Sequence, residues 1–305
     1  MARAAASDLI RRVRRGVRAR LARAVPWGRI RNLAQGAWYG VADSVPVRRL
    51  LRATGRPLRI GGMATMPSRA DCLPAALASI LPQVDLLYLY LDKHDAVPPA
   101  LGNRRKIVPI VPADLPRLVG GDAGSPSAAG KFIATRLHDD CLFFAFDDDI
   151  VYPRDHTRRL AAALKRRRYH AVVGVHGVSF RPPHRSYTRD RTVFHFSEPL
   201  AAEREVDEIG TGTVAFRTAV FRPQFWGWRG GMLDLNLAIE AQHRGLPRII
   251  VDRGELYLRP IDRPLDDALW TAVLRDDTAA SALLRANPQL WTRPIPAAAG
   301  TAGAP

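Results

Sequence analysis

The sequence predicts an α/β protein built on a mostly parallel, doubly wound sheet flanked by helices. Short apolar runs recur between Leu58 and Val251, helix-period segments separate several of them, and 305 residues suffice to bury a sheet on both faces. LRIGGM (58–63), LLYLYL (86–91), KIVPIV (106–111) and LFFAF (142–146) read as buried strands, nearly continuous in apolar residues as parallel strands are. AVVGV (171–175), TVAF (213–216) and RIIV (248–251) extend the series. Between the first two runs, Leu73, Leu77, Ile80 and Leu81 share one helix face, with Asp71 expected as the cap and Pro74 tolerated in the first turn. A second helix, HTRRLAAALKR, follows Asp155, and Leu235, Leu237, Ala238 and Ala241 mark a third that Asp234 opens. The expected units are a basic arm (1–57), an α/β domain (58–262), a helical extension (263–293) and a disordered low-complexity tail (294–305).

Composition narrows the class. Hydrophobic residues at 47% and charged residues at 25% exclude a wholly disordered or fibrous chain. Cys72 and Cys141, the two cysteines, suggest neither a disulfide framework nor a zinc site, and a reducing, cytoplasmic setting is the simpler reading. The net charge of +17 is uneven: residues 1–59 hold 15 arginines against Asp8 and Asp43, so the remainder is close to neutral. Within residues 6–25, Ile10, Val13, Val17, Leu21 and Val25 form an apolar stripe amid arginines, with Ser7 and Asp8 available to cap it. Such a helix suits the surface of an anionic membrane, each basic residue adding ~1 kcal/mol. A basic helix docked on the body and a nucleic-acid arm are the alternatives, the latter less favoured. No apolar stretch reaches the ~18–20 residues of a spanning helix.

The sharpest feature is FFAFDDDIVYP (143–153), in which a buried strand runs straight into Asp147, Asp148 and Asp149. Continued strand alternation would put Asp147 and Asp149 on one side and Asp148 on the other. Carboxylates ~4–5 Å apart repel by several kcal/mol at an effective dielectric near 20, so a cation is expected among them. Hard oxygen ligands favour Mg2+ or Mn2+, with open positions for phosphate oxygens. The alternative is an acidic turn ahead of a helix.

With MATMPSR (63–69), LPAALASILPQVDLLYLYLD (73–92), the separated GD (121–122) and GKF (130–132), FDDDIVYP (146–153), VGVHG (173–177), IGTGTVAF (209–216) and DLNLAIEAQHRGLPRIIVDR (234–253), the chain resembles the nucleotide-sugar-dependent glycosyltransferases of the GT-A fold. The likeness is to family 2-like bacterial polysaccharide transferases and covers roughly residues 58–260. One departure is the insertion SPSAA (125–129), which stretches the loop carrying Asp122. The resemblance implies a Rossmann-like GT-A domain and a metal-dependent, inverting hexosyltransferase. Its donor would be a nucleoside-diphosphate sugar, with UDP as the default, and its acceptor a cell-surface saccharide or lipid-linked saccharide. It would act in the cytoplasm or peripherally on the inner face of the cell membrane. A sugar-phosphate nucleotidyltransferase is weakened because MATMPSR lacks a Gly-rich run, and a non-catalytic adaptor on a degenerate transferase fold is the further rival.

Residue by residue, Asp149 with Asp147 would hold a cation bridging the donor phosphates, and Asp148 would assist or bind ribose. Thr65, Arg69, Asp92, Asp122 and Lys131 complete the expected nucleotide-sugar site, Lys131 as a compact charge against phosphate. Ordinary alternatives stand beside them: a strand-end turn at Asp92, a solvated loop lysine at 131, and a surface residue at Arg69. Gly210, Thr211, Gly212 and Thr213 suit sugar or acceptor contact, or else form a tight turn. Asp234 is the expected general base by resemblance, with a simple N-cap as its alternative. His176 follows a strand and could reach the site, though a packed or solvated histidine is the favoured reading, and His243 and Arg244 are read as surface residues.

Overall fold

The computed structural model describes residues 56–102, 106–119, 125–228, 232–261 and 269–291. Residues 1–55 of the basic arm, Asp122 and the C-terminal tail lie outside the described residues. An eight-stranded sheet forms the body, in the order β3-β2-β1-β4-β11-β6-β12-β9. Its strands are β1 (Arg59–Thr65), β2 (Leu86–Leu91), β3 (Ile107–Ile110), β4 (Leu142–Phe146), β6 (Val172–Gly174), β9 (Arg204–Val206), β11 (Ala215–Arg217) and β12 (Arg248–Ile250). β5 (Ile150–Val151) pairs with β13 (Arg259–Pro260), while β10 (Glu208–Ile209), β7 (Gly177–Phe180) and β8 (Arg191–Phe194) form a small antiparallel sheet.

The apolar runs become strands as expected, with one correction of direction. β11, from the 213–216 run, lies antiparallel to both β4 and β6, and β9 runs antiparallel to β12. A strand buried on both faces carries the same apolar run whichever way it points, so composition did not specify this. β4 shows what the burial is for. Phe144 and Phe146 face a core with Met63, Leu77 and Leu160, while Phe143 and Ala145 face a second core with Ile60, Phe132 and Phe216. A third cluster joins Phe180, Tyr187 and Leu235 to Leu284 and Trp291, packing the C-terminal helices α4 (Leu269–Arg275) and α5 (Thr278–Arg285) against the body.

Three helices complete the frame: α1 (Leu73–Ile80), α2 (His156–Arg166) and α3 (Leu233–His243). α1 buries Leu73, Ala76, Leu77 and Ile80 and carries Pro74 in its first turn. Its N-cap is Cys72, not Asp71, and no side chain caps it; Pro74 removes one of the first-turn N–H groups that a cap would satisfy. Asp155 is the N-cap of α2 but pairs with Arg158 at 3.4 Å instead of capping. Both cysteines are buried and neither is in a disulfide.

The chain leaves β1 for β2 and β3 on one side, then returns to place β4 on the other. This reversal between β1 and β4 is where an open α/β sheet forms its binding crevice, beyond the carboxyl ends of the strands. The register sets those ends level: Met63 pairs with Phe146, and Thr65 with Leu91. Thr65, Asp92 and Asp147 therefore emerge along one rim.

Candidate active site

A cleft of about 590 Å³ opens at that rim, lined on one side by Thr65, Arg69, Asp92, Lys131 and Asp147 to Asp149. Beyond β1, Pro67–Arg69 forms a single 3-10 turn that delivers Arg69 to the acidic triplet. One guanidinium nitrogen, Nη1, donates to Asp148 Oδ1 at 3.0 Å and to Asp149 Oδ2 at 2.8 Å. Lys131 Nζ donates to Asp147 Oδ1 at 2.5 Å. The alternation expected of the triplet is thus corrected: β4 ends at Phe146, the carboxylates sit on a turn, and Asp148 shares its partner with Asp149. The repulsion that called for a cation is met in part by these two side chains.

Lys131 lies in a 3-10 segment, Ser127–Phe132, laid flat against the sheet. Gly62 on β1 permits this, since a Cβ there would meet the Lys131 carbonyl oxygen at 1.9 Å. Lys131 is only 5% exposed, so it is no solvated loop lysine. Burial acts to lower its pKa, but the carboxylates of Asp147, Asp234 and Asp148 outweigh this and hold it above the ordinary lysine value. Burial raises the Asp148 carboxyl, with the Thr65 hydroxyl and Arg69 opposing. Asp92 is also buried. It accepts from Ser125 Oγ at 2.8 Å and Ser127 Oγ at 3.5 Å, so the SPSAA insertion folds back onto it, and its N–H donates to the Thr65 carbonyl at 2.8 Å.

The Gly210–Thr213 loop closes on the triplet from the other side. A Cβ on Gly212 would fall 1.8 Å from Asp147 Oδ2, so only glycine lets this loop approach the carboxylate. Tyr152 ties the two together: its hydroxyl accepts from the Asp147 N–H at 2.8 Å and donates to the Gly212 carbonyl at 2.6 Å. The Thr213 hydroxyl is engaged internally, accepting from Val175 and His176 N–H and donating to the Gly210 carbonyl.

Asp234 sits in the first turn of α3, but Met232 is the N-cap. The simple-cap alternative therefore fails; Asp234 Oδ1 instead accepts the Thr211 N–H at 2.8 Å and lines the cleft. Burial raises its carboxyl above the ordinary aspartate value, against the Thr211 hydrogen bonds and Lys131, which favour the ionised form.

The cleft also holds residues that the sequence reading did not single out: Tyr187, Arg191, His195, Glu208 and Trp270. They come from the small sheet, its connection and α4, where no apolar period or motif marks them. His176, read as a packed or solvated residue within reach of the site, is half-buried and lines the cleft, and burial with the nearby charges of His195, Arg191 and Arg253 lowers it to about 3. His243 and Arg244 are exposed.

Asp147 and Asp149 supply hard oxygen donors open to the cleft, and the donor chemistry fits a divalent ion that completes its shell with ligand phosphates and water. No third His, Cys, Asp or Glu among the described residues is grouped to hold a metal with them. An ion there would compete with Arg69 and Lys131 for the same oxygens. No helix among the described residues is long and apolar enough to cross a membrane.

No protein-family model matches the chain, and no curated protein matches it in sequence. Among solved structures it is similar to glucosyl-3-phosphoglycerate synthase from Mycobacterium tuberculosis in complex with Mg2+ and UDP. That likeness has a TM-score of 0.46 and 14% identity, covering 78% of this chain and 83% of that chain. The same enzyme with Mn2+, UDP and phosphoglyceric acid gives a TM-score of 0.47 and 14% identity, covering 79% of this chain and 82% of that one.

Proposed function

We propose that this chain is a nucleotide-sugar-dependent glycosyltransferase of the GT-A type. The observation that carries the reading is the meeting, at the sheet's switch point, of an acidic turn bound by Arg69 and Lys131 with the half-buried carboxyl of Asp234. Phosphate chemistry needs the first group and hydroxyl activation the second.

In this reading Asp147 and Asp149 would hold Mg2+ or Mn2+, which when bound would supply Lewis-acid stabilisation of the charge on a departing diphosphate. Arg69 and Lys131 turn from the carboxylates toward the donor phosphates. Thr65, Asp92 and Asp148 face the nucleoside. Gly210 to Thr213 line the acceptor's approach. Asp234 takes the proton of the acceptor hydroxyl, whose oxygen attacks the anomeric carbon as the bond to the diphosphate oxygen breaks. A single displacement inverts the anomeric centre, and 1H NMR of the product, through the anomeric coupling constant, separates it from a retaining route. UDP-sugars are the favoured donors, and a surface saccharide or lipid-linked saccharide the acceptor. Residues 6–25 would bring the chain to an anionic membrane on the cytoplasmic side.

The test is nucleoside-diphosphate release from a panel of UDP- and GDP-sugars with Mn2+, for the wild type and Asp149→Asn. Release from one donor, lost in the variant, supports the reading. A folded chain inert toward every donor would favour the non-catalytic adaptor.

A further inference from the structure

Glu208 is a buried carboxyl group lining the cleft that this chemistry leaves without a role. It begins β10, opposite Val178 of β7, and is 2% exposed while still lining the cleft. Its oxygens lie 2.9 and 3.1 Å from the Tyr187 hydroxyl. Among the described residues no Lys, Arg or His forms an ion pair with it. The charged and titratable groups facing it are Asp234 from α3, Arg191 from β8, Tyr187 from the β7–β8 connection and its own neighbour Asp207. Arg191 is drawn toward rings, lying 4.8 Å from the centre of Tyr187 and 4.5 Å from that of Trp270. A carboxylate buried without a cation, and facing a second carboxylate, is costly enough that the proton stays on.

We propose that Glu208 serves the cleft as a neutral carboxylic acid, donating a hydrogen bond that orients the acceptor hydroxyl toward Asp234 and releasing it on ionisation. Burial, reinforced by Asp234 and opposed by the Tyr187 hydrogen bond, pushes its carboxyl up to about 8. Asp234 is raised too, but Lys131 and Thr211 favour its ionised form. The two acids therefore divide the work: one accepts a proton and the other donates a hydrogen bond. The acceptor role rests on the transferase reading; the protonation state does not.

The chain has six glutamates, so protein labelled with 13C at the glutamate carboxyl gives a short spectrum in which the signal missing from Glu208→Gln is Glu208. That signal is expected to titrate near pH 8. For wild type, kcat/KM for the acceptor should then fall about tenfold between pH 7 and pH 9 as the neutral fraction drops. Glu208→Gln, which keeps a donor at every pH, should be flat over that interval. Glu208→Leu should raise the acceptor KM throughout while leaving nucleotide stabilisation in place. A Glu208 signal titrating below pH 6, an alkaline fall retained in Glu208→Gln, or an unchanged acceptor KM in Glu208→Leu each overturns the inference with transfer intact. Absence of transfer at any pH removes the acceptor role together with the transferase reading, while the carboxyl titration still decides the protonation state.

Discussion

Replacing Lys131 with methionine keeps the length and apolar stem of the side chain and removes its charge. In the native cleft three carboxylates of the triplet face two cations, Arg69 and Lys131, leaving one net negative charge. The variant leaves two. Breaking a buried pair by removing one partner costs about 3–5 kcal/mol, because the remaining charge is stranded. Asp147 is 37% exposed, so water recovers part of that, and about 2–3 kcal/mol is the expected loss in metal-free buffer. The same change should strengthen the site for a divalent ion, since Asp147 loses its competitor. Urea unfolding followed by tryptophan fluorescence, in EDTA and in Mn2+, measures both effects. Mn2+ alone should restore at least ~1 kcal/mol more to Lys131→Met than to wild type, by preferential binding to the native state. The reasoning fails if the variant loses less than ~0.5 kcal/mol in EDTA, or if Mn2+ stabilises both proteins equally.

Other substitutions probe the parts separately. Gly212→Ala should displace the Asp147 carboxylate, because its Cβ would sit 1.8 Å from Oδ2; nucleotide affinity should fall at least about tenfold with the far-ultraviolet circular dichroism unchanged, and unaltered affinity would contradict the close approach. Tyr152→Phe strands the Asp147 N–H and Gly212 carbonyl that the hydroxyl joins, an expected loss of about 1–3 kcal/mol in urea unfolding; no loss would mean the bridge is dispensable. Asp234→Asn should lower kcat by about 10²–10⁴ while nucleotide stabilisation persists. The base works ionised, so wild-type kcat/KM should decline as pH falls through a value above the ordinary aspartate range, raised there by burial. An acid limb at the ordinary value would sink that assignment.

The strands and the acidic turn were legible in the sequence because both are written as composition: a run of apolar residues says buried, and three aspartates after it say cleft. The direction of β11 was not, since burial on two faces erases the alternation that would orient a strand. The triplet's internal arrangement was also hidden. Strand alternation paired Asp147 with Asp149, whereas the turn gives Asp148 and Asp149 to Arg69 across 79 and 80 residues of sequence. Lys131 was marked by its rarity, one of four lysines in the chain, and its partner by no local signal. Glu208 and Tyr187 stayed invisible because they sit on short segments of mixed polarity, where exposed edge strand and buried site read alike. Tyr187 is buried in the cluster that α3 and the C-terminal helices build, and the strand carrying Glu208 packs against α3.

The central claim is that the acidic turn binds a nucleoside diphosphate through a divalent ion. Its most direct test is thermal stabilisation of the full chain by UDP, GDP and CMP, with and without Mn2+, beside Asp149→Ala. A nucleotide at ~100 times its dissociation constant should stabilise the native state by ~2.7 kcal/mol. The account predicts a melting shift with one diphosphate that requires Mn2+ and vanishes in the variant. A folded wild type that no nucleotide shifts, or a shift that persists without metal and without Asp149, would contradict it.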